Sequence, residues 1–384
     1  MKLASSLNRL GTETAFEVLA KAKKLEAQGK KIIHLEIGEP DFETPDHIKE
    51  AAKKALDDNF THYVPSPGLM DVREVIAEHQ SDVHGKDISP ENVVFTPGAK
   101  PIMFFTIMAL IEPGDEVIYP NPGFPIYESM IKYVGGNPIP MELKEEKGFN
   151  ADVNLIEESI TDKTKLIIIN SPNNPCGSVM DSEDIKRVAD LAHKNNIVVL
   201  TDEVYKDLYF EGSHNSVYDF ADMEKQTIIL DGFSKSYAMT GWRLGYGIFP
   251  DVMVEPISRL VTNSVSCTSA FSQKAAVAAI QGPQDSVKMM LEEFKARAKI
   301  VVEGFNGIKG VSCIQPKGAF YAFPNIKETG FTSQQLSDAL LNEGVAVLPG
   351  TSFGKFGEGY LRISFANSRE NLKEALSIIK NFLD

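Results

Sequence analysis

Five short runs of β-branched and aliphatic residues are separated by longer helical stretches, and this alternation limits the chain to few architectures. The runs are Val93-Val94-Phe95-Thr96, Glu116 to Tyr119, Leu166 to Asn170, Ile197 to Thr201 and Thr227 to Leu230. Each is too continuously apolar to have one face in water, so each reads as a strand covered on both faces. Strands joined through helices pair in parallel, because a parallel connection needs a crossover of a dozen residues or more. The expected fold class is α/β: a large domain with a mainly parallel sheet flanked by helices. In such sheets ligands sit beyond the carboxyl ends of the strands. The loops after Thr96, Asn170, Thr201 and Leu230 are therefore the places to look for chemistry.

After about residue 280 the texture changes. A long charged helix runs through Lys288, Glu292, Lys295 and Lys299, and short strands follow around Phe320 to Phe323, Val345 to Leu348 and Tyr360 to Phe365. This predicts a smaller α+β domain. A helix from Phe16 to Gln28 precedes the sheet and is expected to pack on that domain. The predicted division is a large domain over 46–280 and a small one made of 1–45 together with 281–384. A chain of 384 residues accommodates both, at roughly 100 to 200 residues per domain.

Charge excludes some partners. Lys and Arg number 39 against 53 Asp and Glu, a net −14, which repels phosphate backbones and anionic lipid at long range. No nucleic acid and no membrane are expected as partners. The most apolar run, Pro101 to Ile111, is too short to span a bilayer, and Met1 to Lys24 has no long apolar stretch of the signal-peptide kind. Three scattered cysteines, Cys176, Cys267 and Cys313, make neither a disulfide framework nor a zinc pattern. A cytoplasmic location is expected.

Three motifs fail on inspection. Gly350-Thr351-Ser352-Phe353-Gly354 has the form of a hydrolase nucleophile elbow, but in that fold the histidine follows the serine, and the last histidine here is His214. A tight glycine-rich turn is the expected structure. Gly350 to Lys355 is one residue short of a P-loop. The seven histidines show no metal-ligand spacing, and no metal is expected.

The strand-end loops are more informative. Asp231-Gly232-Phe233-Ser234-Lys235-Ser236 sets a lysine at the end of a buried strand, where desolvation would free its lone pair for a carbonyl; a solvated loop lysine is the plain alternative. Asp202-Glu203-Val204-Tyr205 follows another strand. Asp202 could keep a heteroaromatic nitrogen protonated and Tyr205 could bond a ring oxygen, or the two could be an N-cap and a packed tyrosine. Pro97-Gly98-Ala99-Lys100 opens an apolar helix, suited to a phosphate or to simple capping. Asn170-Ser171-Pro172-Asn173-Asn174-Pro175-Cys176-Gly177 offers an amide in a rigid turn. Four strand ends thus each supply a group that one cofactor needs.

Taken in order with Gly38-Glu39-Pro40-Asp41-Phe42, Met239-Thr240-Gly241-Trp242-Arg243 and Gly318-Ala319-Phe320-Tyr321, these motifs resemble the class I/II aminotransferases of the fold-type I pyridoxal-phosphate enzymes nearly from end to end. The resemblance implies pyridoxal 5'-phosphate as cofactor, Lys235 as its Schiff-base lysine, Asp202 on the pyridine nitrogen, and Asn174 and Tyr205 on the ring hydroxyl. It implies Phe124 stacked on the ring. The phosphate would lie against Gly98, Ala99 and Lys100, with Ser234 and Arg243, and Tyr63 would reach it from the other subunit of a homodimer with shared sites. Arg362 would bind the substrate α-carboxylate, assisted by Gly38 and Asn174. Trp242, the only tryptophan, is expected to pack beside the lysine loop. Cys176 stands where the family commonly has threonine, a small-for-small change that puts a thiol near the cofactor.

The reaction so implied is ping-pong transfer of an amino group from an L-amino acid to a 2-oxo acid such as 2-oxoglutarate, with Lys235, Asp202 and Tyr205 as catalytic residues. Lys100, following the small pair Gly98-Ala99, is expected to meet a substrate's distal carboxylate and so to favour aspartate. An aromatic or alanine-type donor is the alternative, as is a C–S β-lyase on the same fold. A cofactor-sensing regulator would need a helix-turn-helix segment, and the residues before Gly38 are too few and too acidic for one.

Overall fold

The computed structural model describes residues 1–212 and 214–384. Seven strands form the central sheet in the order Val93–Thr96, Gly245–Ile248, Thr227–Gly232, Val198–Asp202, Thr164–Asn170, Glu116–Asn121, Asn137–Glu142. Only Gly245–Ile248 runs against the rest. All five expected strands are present, and the sheet is mainly parallel with apolar clusters on both faces.

Two strands escape the sequence reading. Asn137–Glu142 carries Pro138 and Pro140, which argue against a strand. It survives as an edge strand: Asn137 and Leu143 donate to the neighbouring strand, so the intervening even-numbered prolines turn their missing N–H groups outward. In Gly245–Ile248 the glycines weaken the signal but are needed for close approach. A Cβ on Gly245 would lie 2.4 Å from the Ala99 nitrogen, and one on Gly247 would lie 2.5 Å from the Phe249 ring.

Helix Asp46–Asp57 packs on Ala270–Gln281, against the sheet end that holds Phe95 and Tyr246. Helix Asp285–Asn306 packs instead on Arg369–Leu383. Their core is aromatic, with Phe294, Phe305, Phe320 and Phe365 all buried. A three-stranded antiparallel sheet lies on it, with Leu361–Ser364 between Leu348–Pro349 and Tyr321–Ala322. The first helix spans Thr14–Glu26 and buries Val18 and Ala22 beside Ala346 and Leu348, as expected. Ile33–His34 then pairs in parallel with Val345–Ala346, tying the start of the chain to its last third. Among the described residues no helix is long and apolar enough to cross a membrane.

Candidate active site

A cavity of about 600 Å³ opens beyond the carboxyl ends of the central strands, walled by Asn170, Asp202, Leu230 and Gly232. Its size is that of a small-molecule site. The wall opposite comes from the C-terminal sheet, through Tyr321, Leu348 and Arg362. The sequence reading pointed to these strand ends, but the second wall and the N-terminal segment that closes the cavity are products of the fold.

Lys235 projects into the cavity two residues beyond Phe233, and its Nζ donates to the Gly38 carbonyl at 2.6 Å. Burial lowers the amine to about 8. Gly38 also packs against Tyr321, where a Cβ would fall 2.2 Å from the hydroxyl.

Asp202 is buried at the end of its strand, and among the described residues no cation pairs with its carboxylate. Its carboxylate takes the Tyr127 hydroxyl and, at 3.4 Å, the Val204 amide. Burial raises it to about 6, with the Tyr127 hydroxyl pulling in the opposite direction. Tyr127 stands in the first turn of helix Ile126–Val134, three residues beyond Phe124, and went unread in the sequence. The two rings meet edge to face at 5.7 Å, and both line the cavity.

Beneath Asp202, residues distant in sequence form a buried polar cluster. Burial works to raise Glu203, but His214 at 2.7 Å outweighs it and holds the carboxyl near 2. His84 and His214 come close enough to Glu203 that their donor atoms lie within 4.8 Å of one another. That proximity could not be read from spacing. The ring nitrogens are already engaged: His84 with Asp219 at 2.6 Å and Gln80 at 3.0 Å, and His214 with Glu203 and, at 3.4 Å, Tyr209. The cluster supports the strand end.

The Asn174 backbone N–H donates to Asn170 Oδ1 at 2.9 Å, while its own Oδ1 accepts from Arg362 Nη1 at 3.3 Å. Tyr205 and Tyr321 share a hydroxyl contact at 2.8 Å. Leu361 and Ile363 enter the core, which turns Arg362 to the other face of its strand, where it too is buried. Its guanidinium lies 4.6 Å from the Tyr321 ring and 4.9 Å from Phe353, and its Nη2 meets the Glu36 carbonyl. Among the described residues its buried Nε has no partner.

Gly98, at a left-handed φ of +86°, brings backbone against Arg243; a Cβ would fall 2.2 Å from the guanidinium. Arg243 bonds the Thr240 carbonyl at 2.8 Å. Ala99, Lys100, Ser234 and Arg243 line one end of the cavity, where helix Lys100–Leu110 begins and presents its first-turn amides. Lys100 is engaged by Glu13 and stands 5.4 Å from the Phe124 ring centre. Gly98 stays behind the cavity wall against Arg243, and Tyr63 is 88% exposed and does not line this chain's own cavity.

Three smaller readings meet the structure. Ser352 sits in a 3-10 turn, Gly350–Phe353, as expected of a glycine-rich turn, although it reaches the cavity wall. Trp242 packs beside the lysine loop and donates to Thr44 at 3.0 Å. Cys176 corrects the concern about a reactive thiol: it is buried in the core, and burial holds it well above the ordinary thiol range, against the thiolate.

Comparison with known proteins agrees with this geometry. The family described as "Aminotransferase class I and II" matches residues 30–379. An aspartate aminotransferase from Pyrococcus horikoshii is 41% identical over 372 residues, covering 96% of this chain and 94% of that protein. Aromatic-amino-acid aminotransferase 2 from Thermococcus litoralis is 39% identical, covering 93% of each. The solved structure of an aspartate aminotransferase from Thermus thermophilus with maleate superposes with a TM-score of 0.96 at 33% identity, covering 100% of both chains.

Proposed function

This chain belongs to the class I and II aminotransferases and is a pyridoxal-phosphate-dependent transaminase, and we propose that it moves an amino group from an L-amino acid, aspartate preferred, to a 2-oxo acid such as 2-oxoglutarate. The observation that carries this reading is that a desolvated lysine, a buried carboxylate and a buried arginine line one cavity. We also propose the division into 46–280 and 1–45 with 281–384, a cytoplasmic location and a homodimer in which Tyr63 of the partner subunit completes each site. The first rests on separate helix packing, the last on the exposure of Tyr63.

The residues fit the cofactor. A buried carboxylate lacking a cation suits a protonated ring nitrogen, and the amides around Ala99 with Ser234 and Arg243 suit a phosphate dianion. Asn174 and Tyr205 would hold the ring hydroxyl and Phe124 the ring face. When bound, pyridoxal phosphate supplies an aldehyde that condenses with amines and a ring that withdraws electrons. Lys235 contributes the attaching amine and then carries the substrate's α-proton as general base and acid. Asp202 keeps a proton on the ring nitrogen. Arg362, held by Asn174 and the Glu36 carbonyl, orients the α-carboxylate as a fork.

Lys100 supports the aspartate preference, since its ammonium stands at the cavity wall near the phosphate end. Lys100→Ala is expected to lower kcat/KM for aspartate at least tenfold, about 1.4 kcal/mol of transition-state binding, and to leave phenylalanine nearly unchanged. A panel of amino acids with 2-oxoglutarate as acceptor tests the whole reading. An equal loss for all donors in the variant would end the aspartate assignment. Phe124, Met103 and Phe16 make part of the same wall apolar, which supports an aromatic donor as the second reading. Release of pyruvate and ammonia without any acceptor would instead make the chain a lyase.

A further inference from the structure

The Lys100 ammonium is not free to wait for a substrate. Glu13, at the N-cap of helix Thr14–Glu26, reaches across to it from far away in sequence. Glu13 makes no capping bond to its own helix, so the helix start does not need its carboxylate. The residue is well shielded, with its side chain 17% exposed, whereas Lys100 is 44% exposed. Glu13, Thr14, Ala15 and Phe16 together form one side of the cavity. Thr14 Oγ1 is buried there and has no partner among the described residues. The N-terminal segment thus brings an acid, an unpaired hydroxyl and an aromatic ring to the place where a substrate side chain would lie.

We infer that Glu13 is a built-in competitor for Lys100: it neutralises the ammonium beside an uncharged substrate side chain and must yield to the distal carboxylate of an acidic one. This inference rests on the proposed contact between Lys100 and the substrate. Two carboxylates at one ammonium repel each other, and a like charge already in place is a standard means of weakening one ligand relative to another. With Glu13 in place, the wall offered to the substrate is a neutral ion pair beside Phe124 and Phe16, acceptable to an apolar side chain. With Glu13 displaced, the wall is a cation. A single residue therefore sets the balance between dicarboxylic and aromatic donors, and it acts by lowering a selectivity that Lys100 alone would make stronger.

The competitor role gives a sign opposite to that of a supporting role. In Glu13→Gln holoenzyme the ratio of kcat/KM for aspartate to that for phenylalanine is expected to rise about fivefold, a modest factor because Lys100 is partly exposed to solvent. Maleate, measured by titration calorimetry, is expected to bind about fivefold more tightly, with 3-phenylpropionate unchanged. In Glu13→Gln/Lys100→Ala both gains should vanish. If Glu13 instead orients Lys100, the single variant loses aspartate activity and maleate affinity, and the inference is overturned. A flat ratio in Glu13→Gln while Lys100→Ala remains selective against aspartate overturns the competitor alone. Equal losses for all donors in Lys100→Ala, with no change of ratio in Glu13→Gln, overturn both it and the aspartate reading.

Discussion

Lys235→Ala is expected to lose transamination by roughly 10⁴-fold or more, since the variant removes both the attaching amine and the proton carrier. Fold should survive, because the side chain makes one hydrogen bond, to the Gly38 carbonyl. Borohydride reduction of the native holoenzyme should leave a pyridoxyl label on the peptide carrying Lys235 and none on the variant. A label on another lysine would remove Lys235 from its role. The pH dependence has a defined sign. Burial lowers the amine from 10.5 to about 8, so at pH 7 roughly 300-fold more of it is neutral than for an ordinary lysine. The rate at which the cofactor-free protein's Lys235 takes up an amine-directed reagent should therefore climb as pH rises toward about 8 and level off above it. A climb continuing past pH 10 would mean that the amine is solvated.

Asp202→Asn is expected to retain the cofactor and lose about 1000-fold in turnover, about 4 kcal/mol of transition-state stabilisation. The amide matches the carboxylate in shape and can still accept the Tyr127 hydroxyl, but it cannot hold a proton on a pyridine nitrogen by charge. Glu203 is no substitute, being committed to His214 and Ser216. Single-turnover kinetics with aspartate, alongside the absorbance of the bound cofactor, measure the effect. Turnover within tenfold of the parent would show that the carboxylate is dispensable.

The strands of the central sheet and the loops that end them were legible because burial on both faces writes a continuous apolar run, and each run stops where a functional loop begins. Lys235, Asp202, Asn174 and the Gly98-Ala99 pair were found that way. Asn137–Glu142 was not, since its prolines are compatible with a strand only at an outer edge, and edge position is a property of the assembled sheet. Tyr127 was missed for a related reason: a buried tyrosine on an apolar helix reads as core until its hydroxyl is seen on Asp202.

By itself, the sequence determined the fold class, five of the seven central strands and the groups offered at their ends, because these follow from local periodicity and turn chemistry. Only the tertiary structure decided how those groups meet. It joined Arg362 to Asn174 from opposite walls, brought His84 to Glu203 and His214, and laid Glu13 on Lys100. Arg362 and Asn174 are 188 residues apart and Glu13 and Lys100 87, so no periodicity links the partners. The lowered Lys235 and raised Asp202 follow from the same enclosure, since desolvation belongs to the cavity and not to either residue.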